Sequence, residues 1–279
     1  MVAMGKKLNQ FARRLCLFGL LSSYYLCVAD DGAIQDNVSR SYQQAKALFS
    51  KHVNKVFGPQ WQDNWHQLGY RYYQDGGLWH IEAIDDAAML GGGHYIFNPH
   101  AQKYHLVQAP HRYFDKKTRP IALKLFASPN VFSVSWNTEH RRTIDFSHVE
   151  VSMMMALTDA WLESIPKGDL IQLHGFTPLK RTTEAGKRSM VIVSEGINTP
   201  SAGHKALTAC FNSVWQAALY PMDVSELGGT TNKMARKMAS QPNHRFVHIE
   251  LSTAFREQLI KDAVDNTQFI SCIDKVLDE

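Results

Sequence analysis

The sequence predicts an α/β protein layered on a mixed β-sheet, and three observations predict it. Short apolar runs of buried-strand character alternate along the chain with stretches whose apolar residues recur every three or four positions. The composition is that of a globular protein, 44% hydrophobic and 20% charged over 279 residues, enough to bury a sizeable core. No repeat, low-complexity tract or linker interrupts the pattern, so residues 30–279 read as one domain.

Taken in order, residues 36–57 predict an amphipathic helix. Val38, Tyr42, Ala45, Phe49, Val53 and Val56 share one face, and Gly58-Pro59 ends it. Trp61, Trp65, Tyr70, Tyr72, Tyr73 and Trp79 make the next stretch aromatic, which favours packing of an N-terminal part over a sugar or peptide platform. Strand-like runs follow at 78–84 and, after the turn Gly91-Gly92-Gly93, at 94–97 and 104–108. Further strands are expected at 131–136, 170–174, 190–194 and 246–252, with helical patterns at about 148–164, 202–218, 230–239 and 253–277. Met153–Met155 fall within the first of these helices beside Leu157 and Trp161, which fits core packing better than metal binding.

The formal net charge of +4 would suggest a polyanionic partner. Its distribution excludes that reading. Lys6, Lys7, Arg13 and Arg14 are the whole basic excess, because residues 30–279 hold 26 basic and 26 acidic side chains. No nucleic-acid partner is expected. The basic head, the uncharged run Leu15–Ala29 and the small residue before Asp30 have the order of a secretory signal, so residues 1–29 are expected to direct export to the periplasm or medium and be removed. Fifteen residues reach about 22 Å as a helix against a hydrocarbon core of ~30 Å, which disfavours a retained anchor; no stable membrane insertion is expected after signal removal. Cys210 and Cys272 lie on separate expected helices, where a disulfide and two buried thiols are equally compatible with the sequence.

Several strands end in polar chemistry. VQAPH ends at His111 with Asp115 four residues on, IQLH ends at His174, and FVHIE ends in His248 and Glu250. In open α/β sheets ligands gather outside the carboxyl ends of strands, and a polar side chain ending an apolar strand is costly without a partner. Two histidines and a carboxylate with an open fourth position make a catalytic zinc set. His111, Asp115 and His174 could supply it, with Glu250 as the base. Period-two alternation puts His248 on the face of Glu250, where it could equally support the donors from behind.

The segments APHRYFD (109–115), HRRTIDFSH (140–148), IQLHGF (171–176), ELGGTTN (226–232) and FVHIELS (246–252) together resemble the N-formylglutamate amidohydrolase family, related in fold to zinc carboxypeptidases. The resemblance covers roughly residues 105–260, and leaves 30–100 as a family-specific extension. It implies a three-layer sandwich around a central mixed sheet, of the zinc carboxypeptidase/amidohydrolase type. It also implies Zn2+ held by His111, His174 and a carboxylate. Asp115 is the choice for that carboxylate; Glu139 and Asp145 are alternatives, since Phe114 stands where carboxypeptidase-like sites often carry a glutamate. Arg112 replaces a usually small residue, which implies a different substrate pocket. Glu250 is implied as the catalytic base, and Arg141 and Arg142 as clamps for a substrate carboxylate, with Arg141–Asp145 pairing across one turn as the competing structural role. Gly228-Gly229-Thr230 opens a helix where Gly229 and Thr230 could present N–H groups to an anion, or form only a polar turn.

The function expected is therefore an exported zinc-dependent amidohydrolase or peptidase, cleaving an amide bond in a small carboxylate-bearing peptide or cell-wall-derived fragment. The alternative is a non-catalytic periplasmic binding or assembly protein on the same fold. A serine hydrolase is disfavoured because the chain has no G-x-S-x-G.

Overall fold

The computed structural model describes residues 31–84 and 89–277, so the expected signal lies outside the described residues. Among the described residues nine strands form one sheet: β1 (Tyr70–Asp75), β2 (Leu78–Ala83), β3 (His94–Phe97), β4 (His105–Ala109), β5 (Val131–Trp136), β6 (Gly168–Phe176), β7 (Val191–Ser194), β8 (Ala217–Leu219) and β9 (His244–Ser252). Their order is β1-β2-β3-β5-β4-β6-β9-β7-β8. The central four, β5, β4, β6 and β9, run parallel, while β1, β2 and β3 join antiparallel on one side and β7 on the other. The sheet is mixed, as the alternation predicts.

Helices cover both faces. One face packs against α1 (Asp31–Val53), α4 (Met153–Ser164) and α7 (Lys233–Met238), burying Phe49, Met153–Met155, Trp161 and Met234. The short α2 (Gln62–Gln67) adds Trp65 to this layer. The other face packs against α3 (Thr118–Phe126), α6 (Ala202–Asn212), α8 (Thr253–Lys261) and α9 (Ala263–Leu277), burying Ile121, Leu125, Phe211, Phe255 and Phe269. A one-turn helix, α5 (Glu184–Arg188), sits beside a small cluster at the β8 edge. This is a three-layer α/β sandwich.

Local chemistry fixes the helix starts. Ser152, Thr183, Asn232 and Ser252 each accept a backbone N–H from the first turn of α4, α5, α7 and α8. The hairpin β1–β2 turns on Gly76 and Gly77 at φ +54° and +83°, a pair of positive φ angles that glycine adopts without a Cβ penalty. The aromatic stretch packs inward as expected. Trp65 Nε1 donates to His52 Nε2 at 2.9 Å, and the His52 ring stacks on Phe57 and Tyr72.

Two expectations need correction, two elements are unanticipated, and one open alternative is resolved. Helical structure over 202–218 ends at Asn212, and 217–219 form β8. The helix expected over 253–277 is two, broken where Asp262 is extended (φ −102°, ψ 116°) and its Oδ1 caps Val264 N–H and Asp265 N–H. The aromatic stretch contains a strand, β1, and the chain after His111 contains a helix, α3, neither of which the patterns anticipate. Cys210 and Cys272 form a disulfide that ties α6 to α9, resolving the two alternatives left open.

Candidate metal centre

Strands β4, β6 and β9 are neighbours and parallel, so their carboxyl ends deliver side chains to one place. His174 and Glu250 are register partners across β6 and β9, and His111 follows the end of β4. All of His111, Asp115, His174, His248 and Glu250 are buried, at 2–8% exposure.

The donors converge in two overlapping groups. His111, Asp115 and His174 offer atoms within 4.8 Å of one another, and so do His174, His248 and Glu250. Asp115 Oδ2 lies 3.4 Å from His111 Nδ1 and 3.5 Å from His174 Nδ1. The His111 and His174 ring centroids are 4.9 Å apart, and those of His174 and His248 4.6 Å. His248 Nε2 is 3.8 Å from Glu250 Oε1, so the two share a face of β9 as alternation requires.

What lies behind the rings decides which nitrogens face the centre. His111 Nε2 sits 2.8 Å from Asp145 Oδ1 and 2.9 Å from Ser147 Oγ. A carboxylate only accepts, so Nε2 carries the proton and Nδ1 turns to Asp115. His174 Nε2 lies 3.3 Å from Gln172 Oε1, which leaves its Nδ1 on the Asp115 side. Among the described residues, His111 Nδ1, His248 Nδ1 and Glu250 Oε2 are buried without a hydrogen-bond partner. The Asp115 carboxylate has Nδ1 of His111 and Nδ1 of His174 at 3.4 and 3.5 Å, a set of donors that needs a cation or a proton among them. With Nε2 of His111 and of His174 each facing an acceptor, this is the arrangement that presents lone pairs to a metal ion. The residues present therefore fit a divalent ion of the kind bound by N and O donors.

The electrostatics agree. Burial raises Asp115, but the imidazoles of His111 and His174 on either side of it outweigh burial and hold the carboxyl well below its usual range. Burial opposes charge on His111 too, yet Asp115 and Asp145 on its two sides raise its pKa. Burial lowers His174 and His248. For Glu250, burial and then the charge of Asp115 push the pKa up to about 8. A cation held at Asp115 would offset that second cause.

Of the other expected site residues, Arg141 and Gly229 adjoin this centre, while no contact ties Arg142 or Thr230 to it among the described residues. Arg141 Nη2 donates to Asp145 Oδ2 at 2.6 Å and its side chain is 32% exposed. Arg142 is exposed. Gly229 has φ +62°, and a Cβ there would lie 3.1 Å from the His248 ring, so the loop lies flush on that imidazole. Thr230 is exposed, and its carbonyl accepts from Arg236 Nε. Asp145, an alternative ligand by sequence, stands on the far side of His111 from Asp115. Sequence reasoning passed over Gln172, Ser147 and Arg256. Gln172 was readable, because it precedes His174 by two on the same strand face. Arg256 is 6% exposed with its guanidinium where a Cβ on Gly175 would come within 2.1 Å of Nη1. Only the fold reveals that proximity.

No protein-family model matches the chain, and no curated protein matches it. Among solved structures it is similar to a bacteriophage poly-gamma-glutamate hydrolase, at 14% identity over 63% of this chain and 84% of that one, with a TM-score of 0.44. It is similar to N-formylglutamate amidohydrolase from Ralstonia eutropha at 10% identity, over 64% and 94% of the two chains, with a TM-score of 0.44. It is also similar to an aspartoacylase family protein from Mesorhizobium loti at 10% identity, over 75% and 69%, with a TM-score of 0.40. At these identities the likeness is one of fold.

Proposed function

We propose that the protein is an exported zinc-dependent hydrolase that cleaves an amide bond in a small carboxylate-bearing peptide or cell-wall-derived fragment. The observation that carries this reading is the convergence of His111, Asp115 and His174 within 4.8 Å, with the outer nitrogen of each imidazole held by an acceptor. His111 Nδ1, His174 Nδ1 and the Asp115 carboxylate would hold the ion. A zinc ion bound there supplies a Lewis acid and lowers the pKa of a water from ~15.7 towards ~7.

Glu250 is the base in this proposal. Its Oε2 is buried with no hydrogen-bond partner, so it is free to take a proton from the attacking water. The carboxylic acid formed then gives that proton to the leaving amine. Arg141, Arg142, Gly229 and Thr230 are proposed as contacts for the substrate carboxylate; a guanidinium matches it in bidentate geometry, and Arg141 is only partly engaged by Asp145. Burial of the donors limits access of bulk water to the centre. The Cys210–Cys272 disulfide supports export, since such bonds persist in oxidising compartments.

Metal analysis of purified protein tests the reading, with one zinc per chain expected after loading. A Glu250→Gln variant is expected to keep that zinc and lose roughly 10²–10⁴-fold in turnover. A protein that takes up no zinc when supplied with it, or an undiminished Glu250→Gln enzyme, defeats it.

A further inference from the structure

We propose that Gln172 is a positioning residue that sets the tautomer of His174, and that a relay of amides running from backbone groups on two helices fixes its orientation. The proposal rests on His111, Asp115 and His174 being the metal donors.

The relay has a defined polarity at each end. On the α4 side, Thr158 Oγ1 donates to Met154 O at 2.9 Å, leaving its lone pairs to face Gln108. Gln108 Nε2 donates to that oxygen at 3.4 Å, which turns Gln108 Oε1 towards Gln172. Gln172 Nε2 donates to Gln108 Oε1 at 2.8 Å and to Met234 Sδ. On the α7 side, Asn232 Oδ1 accepts the backbone N–H groups of Met234 and Ala235 at 2.9 and 3.3 Å. Its Nδ2 is thereby left to donate to Gln172 Oε1, at 2.7 Å.

Both ends dictate the same orientation. Rotating the Gln172 amide by half a turn would set its NH2 against that of Asn232 and its oxygen against that of Gln108. Gln108, Thr158, Gln172 and Asn232 are 0–3% exposed, so no solvent rescues the mispairing. Gln172 Oε1 therefore meets His174 Nε2, at 3.3 Å, and only an N–H at that position can bond to it. Nδ1 is then the unprotonated nitrogen; the competing acceptor, Asp115 Oδ2, lies 3.5 Å from it, farther than Gln172 Oε1 lies from Nε2. This gives the Gly228–Asn232 loop a second duty, carried by the Asn232 side chain.

The test reads the tautomer directly. Nitrogen-15 NMR of histidine-labelled, metal-free protein, at a pH where imidazole is neutral, is expected to place the His174 proton on Nε2. Asn232→Asp keeps the oxygen that caps α7 but sets a carboxylate oxygen against Gln172 Oε1. It is expected to flip the Gln172 and Gln108 amides together, with the Thr158 hydroxyl turning to donate to Gln108 Oε1, and to move the His174 proton to Nδ1. Gln172→Leu is expected to populate both tautomers, and Gln172→Glu, which keeps an acceptor opposite Nε2, to restore the first. Cobalt affinity by titration is expected to fall about 10–100-fold in Asn232→Asp and Gln172→Leu. Should Gln172→Leu fail to fold, Asn232→Asp still decides the matter. A wild-type proton on Nδ1, or an unchanged tautomer in Asn232→Asp, overturns the proposal. Wild-type protein with the expected tautomer that binds neither cobalt nor zinc supports the relay and defeats the metal reading instead.

Discussion

Asp145 shows how one side chain can serve a site without entering it. Its Oδ1 accepts from His111 Nε2 at 2.8 Å, and its Oδ2 takes Arg141 at 2.6 Å and approaches His148 Nδ1 at 3.3 Å. Hydrogen bonding from His111, with the Arg141 and His148 charges, overcomes burial and holds the Asp145 carboxyl far below its usual range. It thus stays an acceptor at any working pH and keeps the His111 proton on Nε2. Asp145→Ala is expected to weaken zinc binding by about 10–100-fold while leaving the ion in the same place, measured by competition against a chelator of known affinity. Unchanged affinity would mean that Ser147 alone orients His111. The polar strand ends were legible one residue at a time. The role of Asp145 was not, because spacing shows that His111 and Asp145 are 34 residues apart but not which side of the imidazole the carboxylate takes.

At the scale of elements, legibility followed the strength of the local signal. Strands β4, β5, β6, β7 and β9 are buried at nearly every position and read as continuous apolar runs, so each was found to within a few residues. Helix α3 was not, and its start explains why. Its N-cap residue Lys117 is left-handed (φ 76°) and supplies no capping side chain, so no start signal is written in the sequence. Strand β8 has three residues and continues the apolar pattern of α6, which hides the boundary at Asn212. The join of α1 to the β1 layer makes its own prediction. His52, on α1, is fully buried and accepts from Trp65, and burial pushes its pKa down to about 3. The unfolded chain carries a histidine near the usual ~6.5, so on acidification it takes up a proton before the folded protein does. Stability linked to His52 is therefore fully present above about pH 6.5 and is lost as pH falls towards about 3. His52→Gln retains a side-chain acceptor for Trp65 and cannot titrate. The variant is expected to lose less in melting temperature than wild type between neutral pH and pH about 5; parallel curves would show that His52 is not a source of acid lability.

For the molecule as a whole, charge, disulfide and site belong to one argument. Residues 30–279 are formally neutral, so any attraction for an anionic substrate must come from local guanidinium groups rather than from a global field. Arg141, Arg181 and Arg256 all lie near the centre, where the first acts on His174 and the other two on Glu250. The Cys210–Cys272 bond closes a segment of 62 residues that contains β8, α7, β9 and α8, and with them Asn232, His248 and Glu250. Two of the five converging side chains thus sit inside the closed loop, Glu250 among them. Constraining the unfolded chain over a loop of that length is worth about 4 kcal/mol in the chain-entropy account. The Cys210→Ala/Cys272→Ala protein is expected to lose up to that amount in denaturant unfolding, and wild type in strong reductant is expected to match it. Its zinc affinity should stay at the wild-type level below the melting temperature, since Cys272 and Cys210 contribute no donor to the centre. A double variant as stable as wild type would show that packing of α9 on α6 and α8, centred on Phe269 against Phe211 and Phe255, suffices without the covalent link.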